Sequence, residues 1–245
     1  MSNAANRRAR AQEVARAAQL RRMAQERRYR RQRAAWISAV AVAVLLIAGL
    51  TGAVLWQAGR PEGTPPASAT ADGTGLPVGD GPVTVEIYLD FLCPGCAAFD
   101  AAAGPVLAEY LADGVVTVVY RPIAILDQKT TTAYSSRAAA AAGCAAESGQ
   151  LTAFVARMLA HQPVGQPAGL STEQIIALGA EAGVTDPGFG ECVRDGAYRD
   201  WVRRSTDAAF DRGVQGTPTV FVDGSRLSEL SVPALRAAVE AAATG

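Results

Sequence analysis

The sequence predicts an α/β domain interrupted by a helical block and preceded by one apolar span of membrane length. Residues 83–91 alternate apolar and polar side chains, as a strand with one buried face does. Residues 115–120 are rich in β-branched side chains and follow a helix-like stretch, giving a β-α-β unit with a parallel strand pair and a right-handed crossover. A further strand-like run at 219–222 comes only after a long, Ala-rich helical block, and leads into a turn and a last helix.

The elements follow in chain order. The 245 residues sum to a formal net charge of zero, but the charge is divided. Residues 1–35 hold eleven Arg against Glu13 and Glu26, a net +9, and the remainder carries −9. Between tail and body, residues 36–56 hold no charge and are bounded by Trp36 and Trp56. A helix of that length spans about 31 Å, close to the about 30 Å of a bilayer core. Trp suits both interfaces, and the Arg-rich side stays in the cytoplasm. The expectation is a single-pass protein of the bacterial cytoplasmic membrane, N-terminus inside and the body outside. A cleaved signal peptide is the competing reading, but its apolar core is usually shorter. Ala67-Ser68-Ala69 has a cleavage-site form far beyond the apolar stretch, and Arg30-Arg31 resembles a twin-arginine signal without its usual neighbours. The basic tail could bind nucleic acid; topology and anionic headgroups account for it beside a membrane span, and no nucleic-acid partner is expected.

Residues 57–81 read as a flexible linker, with Pro61, Pro65, Pro66 and Pro77 among many small residues. Such a chain reaches about 27 Å. The domain is expected over residues 82–245. Its first strand places Val83, Val85, Ile87, Leu89 and Phe91 on one face and Thr84, Glu86, Tyr88 and Asp90 on the other. A helix runs from the cysteine motif to about Leu111, stopped by Asp113-Gly114. The helical block, about residues 128–212, comprises segments near 130–146, 151–160, 172–182 and 188–213. Ser171 with Gln174 forms a capping box. Asp223-Gly224 is a hairpin turn signal before a short strand near Arg226 and Leu227. Ser231 caps a last helix over 233–243.

Cys93-Pro94-Gly95-Cys96 lies where the first strand hands over to the first helix. Unpaired N–H groups and the dipole of a helix N-terminus favour a thiolate at the first cysteine. The spacing of three puts the second cysteine behind it, ready to attack a mixed disulfide. The alternative is half of a zinc site, for which only Cys144, Cys192 and His161 could supply the other ligands. His161, near a helix end, reads as a surface residue. Cys144 and Cys192 both fall in the helical block, open to pairing with each other, to remaining free thiols or to a second redox role.

The segment Asp90-Phe91-Leu92-Cys93-Pro94-Gly95-Cys96, with Arg121-Pro122 after the second strand and residues 216–224, which contain Thr217-Pro218, resembles the DsbA-like thioredoxin family. The resemblance covers about residues 80–243. It implies a thioredoxin fold with a helical insertion, a protein thiol-disulfide oxidoreductase, and neither cofactor nor metal. It implies that Cys93 is the nucleophile, Cys96 the resolving thiol and Thr217-Pro218 a cis bend against them, and that Cys144 and Cys192 form a structural disulfide. The expected partners are reduced or unfolded secreted polypeptides and a quinone-linked membrane oxidoreductase of the DsbB or VKOR type. A monomer is expected. The chain departs from the family twice. Gly95 stands where the strongest oxidases have His, implying a less acidic Cys93 and a weaker oxidant. A buried carboxylate often found six residues before the first cysteine is replaced by Ile87, and Glu86 points to the opposite face. The leading function is an oxidase. A reductase or isomerase of the same fold, or a peptide-binding module with no redox role, are the rivals.

Overall fold

A computed structural model describes residues 63–244. The basic tail, the apolar span at 36–56 and the first six residues of the expected linker lie outside them. Among the described residues no helix is long and apolar enough to cross a membrane.

The domain is a five-stranded sheet with helices on both faces. Its strands are β1 (Leu76–Val78), β2 (Val83–Leu89), β3 (Val116–Pro122), β4 (Thr219–Val222) and β5 (Ser225–Arg226), in spatial order β1-β3-β2-β4-β5. β2 and β3 are parallel, and every other pair is antiparallel. Helix α1 (Pro94–Ala112) makes the expected crossover between β2 and β3. Because β2 is central, both its faces are buried. Val83, Val85, Ile87 and Leu89 join Phe99 and Leu107 of α1 in the main core. Tyr88 packs on the other side with Ile123, Ala209 and Val214.

The expected linker is corrected over its described part. Residues 63–81 belong to the domain: Leu76 is fully buried and pairs with Tyr120 on the edge of β3. Asp72 meets Arg121 at 2.9 Å, and the Trp201 indole N–H donates to the Gly73 carbonyl at 2.6 Å. Three strand residues are too few to show an alternation, and their stability comes from the partner strand.

The insertion holds α2 (Tyr134–Glu147), α3 (Leu151–Ala160), α4 (Thr172–Glu181), α5 (Phe189–Asp195) and α6 (Arg199–Asp211). In α2, alanines 138–142 are all buried, so their small side chains let neighbouring helices approach closely. This helix starts four residues later than expected. A 3₁₀ turn at Asp127–Lys129 precedes it, and Ala133 sits at φ 50° just outside its first turn. The single helix expected over 188–213 is two, α5 and α6, because Gly196 takes a left-handed φ of 61° that glycine tolerates without strain. The Ser171–Gln174 capping box is present at α4. Asp223 (φ 43°) and Gly224 (φ 78°) form the β4–β5 turn. Ser231 Oγ accepts from the Ala234 N–H and starts α7 (Val232–Ala243).

Candidate active site

The end of β2 delivers the chain to α1 through a tight turn in which the Cys93 N–H donates to the Asp90 carbonyl at 3.0 Å. Cys93 is the N-cap residue of α1, and Pro94 occupies the first turn, where its missing N–H is no loss. Among the described residues no side chain caps this N-terminus through a hydrogen bond, and no acidic residue lies in the first turn. The N–H groups of Gly95 and Cys96 at this helix end act on the Cys93 sulfur, the Cys96 N–H also donating to the Cys93 carbonyl at 3.0 Å.

The structure brings the four sequence-predicted catalytic residues together. Thr217-Pro218 is a cis peptide. Cys93 Sγ lies 3.1 Å from the Thr217 carbonyl oxygen, to which its thiol form donates. A Cβ placed on Gly95 would stand 3.2 Å from Pro218 Cδ and 3.6 Å from Cys93 Sγ, so the absence of a side chain lets helix and proline bend close around the sulfur. Both cysteines are free thiols; Cys93 is 8% exposed and Cys96 2%.

The two thiols are electrostatically unequal. The hydrogen bond from the Cys96 thiol favours the Cys93 thiolate; burial opposes it, and the Thr217 side chain and the N–H groups of Cys96 and Gly95 reinforce it. The result is a thiol lowered from 9.0 to about 5. Reactive Cys-x-x-Cys thiols span about 7 to about 3.5, so this one falls between. The Cys96 thiol is pushed far up, by its bond to Cys93 and then by burial. Cys93 thus keeps a thiolate near neutrality with glycine at 95, its donors being the partner thiol, the Thr217 side chain and the backbone.

Sequence reasoning missed three contributors. The Gln162 side-chain amide donates to the carbonyls of both Phe91 and Cys93, each at 2.9 Å, clamping the active-site turn from the end of α3. No sequence signal marks it, since its partners lie about seventy residues away. Asp90 is fully buried and its carboxylate accepts three hydrogen bonds, from the Leu92 N–H, the Leu126 N–H and the Ser135 hydroxyl. It locks the turn to the insertion. Asp100, one helical turn beyond Cys96, lines with it a small cavity walled also by Ile87, Leu89, Tyr120 and Pro218. Its spacing of four from Cys96 was the available clue.

Glu86 lies on the far face of β2, where its carboxylate binds Arg121 (2.6 Å) and Arg212 (2.6 Å). Burial pushes its carboxyl up, but the two guanidinium groups outweigh burial and hold it below the usual range. His161 is exposed at the end of α3, its Nδ1 2.9 Å from the Arg157 carbonyl. Cys144 of α2 and Cys192 of α5 are bonded, with Cα atoms 6.1 Å apart. Beside Cys93 opens a groove of about 450 Å³ lined by Leu92, Pro94, Lys129, Gln162, Val164 and Gln166. Val164 on its rim is 88% exposed.

A family model described as thioredoxin matches residues 75–241. The chain is 33% identical over 164 residues to a protein named Na(+)/H(+) antiporter NhaA 3 of Salinispora tropica, a match covering 66% of this chain and 24% of that protein. NhaA 1 of Salinispora arenicola is 31% identical over 169 residues, again across 24% of its length. The chain thus spans about a quarter of the length of these curated relatives. Among solved structures, oxidised DsbA of Mycobacterium tuberculosis is 30% identical with a TM-score of 0.60, covering 70% of this chain and 93% of that one. Reduced DsbG of the same organism is 28% identical with a TM-score of 0.56, covering 72% and 91%. MdbA of Actinomyces oris, at 23% identity, has the same fold, with a TM-score of 0.61 and coverage of 74% and 93%.

Proposed function

The chain belongs to the thioredoxin family, and from that premise we propose that its folded domain is a DsbA-like protein thiol-disulfide oxidoreductase that oxidises reduced proteins outside the cytoplasm. The observation that carries this reading is the pairing of an acidic Cys93 with a buried, weakly acidic Cys96 beside Thr217-Pro218. A low pKa at the nucleophilic sulfur stabilises the reduced enzyme, which makes its disulfide the better oxidant.

In the oxidised enzyme a substrate thiolate attacks Cys93 Sγ. The Cys93–Cys96 bond breaks, a substrate–Cys93 mixed disulfide forms, and the electron pair leaves on Cys96. A second substrate thiolate then attacks the substrate sulfur and expels Cys93 as a thiolate. The substrate has lost two electrons and the enzyme is a dithiol. Cys93 is a good leaving group for the second step because its thiolate is stabilised by the helix N-terminus. The groove beside Cys93 offers an apolar surface to an extended substrate segment.

Reoxidation falls to a quinone-linked membrane oxidoreductase of the DsbB or VKOR type, with the chain anchored through residues 36–56 and its N-terminus cytoplasmic. The uncharged 21-residue span, the basic tail and the Cys144–Cys192 bond, of a kind that persists in oxidising compartments, support this placement. The antiporter name of the curated relatives stays with those proteins.

The test is the redox equilibrium of Cys93–Cys96 against glutathione, read by thiol alkylation and mass. An oxidase gives a potential above about −200 mV. A value near about −270 mV together with rapid insulin reduction marks a reductase instead, and no exchange at all leaves a binding module.

A further inference from the structure

Exchange requires more of Cys96 than position. Each time the Cys93–Cys96 bond opens, Cys96 leaves as a thiolate in an apolar pocket. Each time the bond closes, its thiol must first lose a proton. With Cys96 2% exposed, bulk water cannot serve it directly. The cavity behind it measures about 10 Å³, room for about one water, and is otherwise walled by Ile87, Leu89, Phe99, Leu107, Leu159, Pro218 and Tyr120.

Asp100 is the only carboxylate among the described residues that line this cavity, and two observations bear on it. It lines this cavity and also a second, open groove of about 980 Å³ between α1 and α3, whose wall includes Ala97, Gly104, Leu151, Ala153 and Ala156. Its carboxylate thus stands between the thiol and a route to solvent. Among the described residues it also has neither a hydrogen-bond donor nor an ion-pair partner, whereas Asp90, the other carboxylate near the turn, is filled by three donors and fully buried. The titratable groups facing Asp100 are Cys96 on its own helix and Tyr120 on β3. α3 and the segment before β2 present only uncharged side chains, such as Thr152, Gln150, Ser68 and Pro77. Burial raises its carboxyl above the usual aspartate value.

We propose that Asp100 is the proton acceptor and donor of Cys96, linking the buried thiol to water in the α1–α3 groove. This rests on the exchange chemistry proposed above. On closing, Cys96–SH passes its proton to Asp100–COO⁻. The Cys96 thiolate attacks Cys93 Sγ of the mixed disulfide, the Cys93–Cys96 bond forms, and the partner sulfur leaves with the electron pair. Asp100–COOH then releases its proton to the groove. On opening, the sequence reverses and Asp100–COOH protonates the departing Cys96 thiolate.

The two steps separate with Ellman's reagent and the reduced protein. The first thionitrobenzoate is released when the Cys93 thiolate attacks the reagent. The second is released when Cys96 attacks the Cys93 mixed disulfide. Asp100→Asn leaves the first release within about twofold of wild type and slows the second by about tenfold or more at pH 7. The second rate then climbs with hydroxide, without the plateau the carboxylate gives. Asp100→Glu, which keeps the base, recovers part of the second rate. A second release within twofold of wild type in Asp100→Asn, or an Asp100→Glu protein as slow as Asp100→Asn, overturns the proposal. If Asp100→Asn does not fold, the wild type carries the test in heavy water: a solvent isotope effect on the second release exceeding that on the first supports proton transfer in that step, and equal effects overturn it. A sluggish first release at pH 7 in wild type contradicts the acidic Cys93 and the oxidoreductase reading itself, a separate outcome.

Discussion

Removal of the Cys144–Cys192 bond tests how the insertion is held. The bond closes a loop with a sequence separation of 48. In the chain-entropy description such a loop restricts the unfolded chain enough to stabilise the fold by about 4 kcal/mol at 25 °C. For a domain of this size each kcal/mol moves the melting temperature by about 2–4 °C, so the expected loss is about 8–16 °C. Alanine is the substitution of choice at both positions, because Cys144 is buried and a serine hydroxyl there would need a partner. The assay is thermal unfolding of the Cys144→Ala/Cys192→Ala protein, followed by circular dichroism, with the first thionitrobenzoate release as a control. That release should be unchanged, since the bond joins α2 to α5 and touches none of the active-site residues. A melting temperature within about 2 °C of wild type would refute the reasoning. It would mean that the helices around α2 are held by packing alone and that the unfolded chain gains little from the loop.

Three further outcomes follow from the site and its surroundings. Cys96→Ala removes the leading stabiliser of the Cys93 thiolate, so the thiolate absorbance of Cys93 should titrate upward from about 5, and an unmoved inflection would assign the acidity to the helix N-terminus instead. Gln162→Ala deletes both bonds to the turn and should cost about 2 kcal/mol in urea unfolding while raising amide exchange at Leu92 and Cys93; unchanged exchange there would show that the clamp is redundant. Glu86→Gln should leave both release rates within about twofold and destabilise by about 3 kcal/mol at pH 7, by weakening the contacts to Arg121 and Arg212. Because the folded state depresses the Glu86 carboxyl, its contribution is present above the unfolded value of 4.5 and is lost as pH falls through the folded one, so the mutant's deficit should shrink in acid; a large loss of exchange would reveal an active-site role.

Much of this protein can be read along the chain because its signals are local. The alternation of β2, the Cys93–Cys96 spacing at a helix start, the Ser171–Gln174 box and the Asp223-Gly224 turn each sit within a few residues. The readings that needed the fold concern distance. β1 exists only because Tyr120 and its neighbours offer an edge, and Gln162 matters only because the insertion returns its end to Cys93. The break at Gly196 carried its glycine in plain view, yet the polar and apolar pattern runs through it from 188 to 213. Asp100 stood at helical spacing from Cys96. What the chain could not reveal is that, among the described residues, its carboxylate has no donor and that it faces a cavity.

The way the sheet ends bears on how such a protein survives its own work. If the domain acts on unfolded chains as proposed, it works among segments ready to add as strands to any exposed sheet border, and such addition seeds aggregation. One border here is β1, three residues long with Pro77 at its centre, unable to donate from that position. The other is β5, two exposed residues carrying the charge of Arg226. Neither offers a length of backbone on which a visiting chain could build a ladder. Short-lived covalent capture at one sulfur is therefore separated from lasting capture by the sheet.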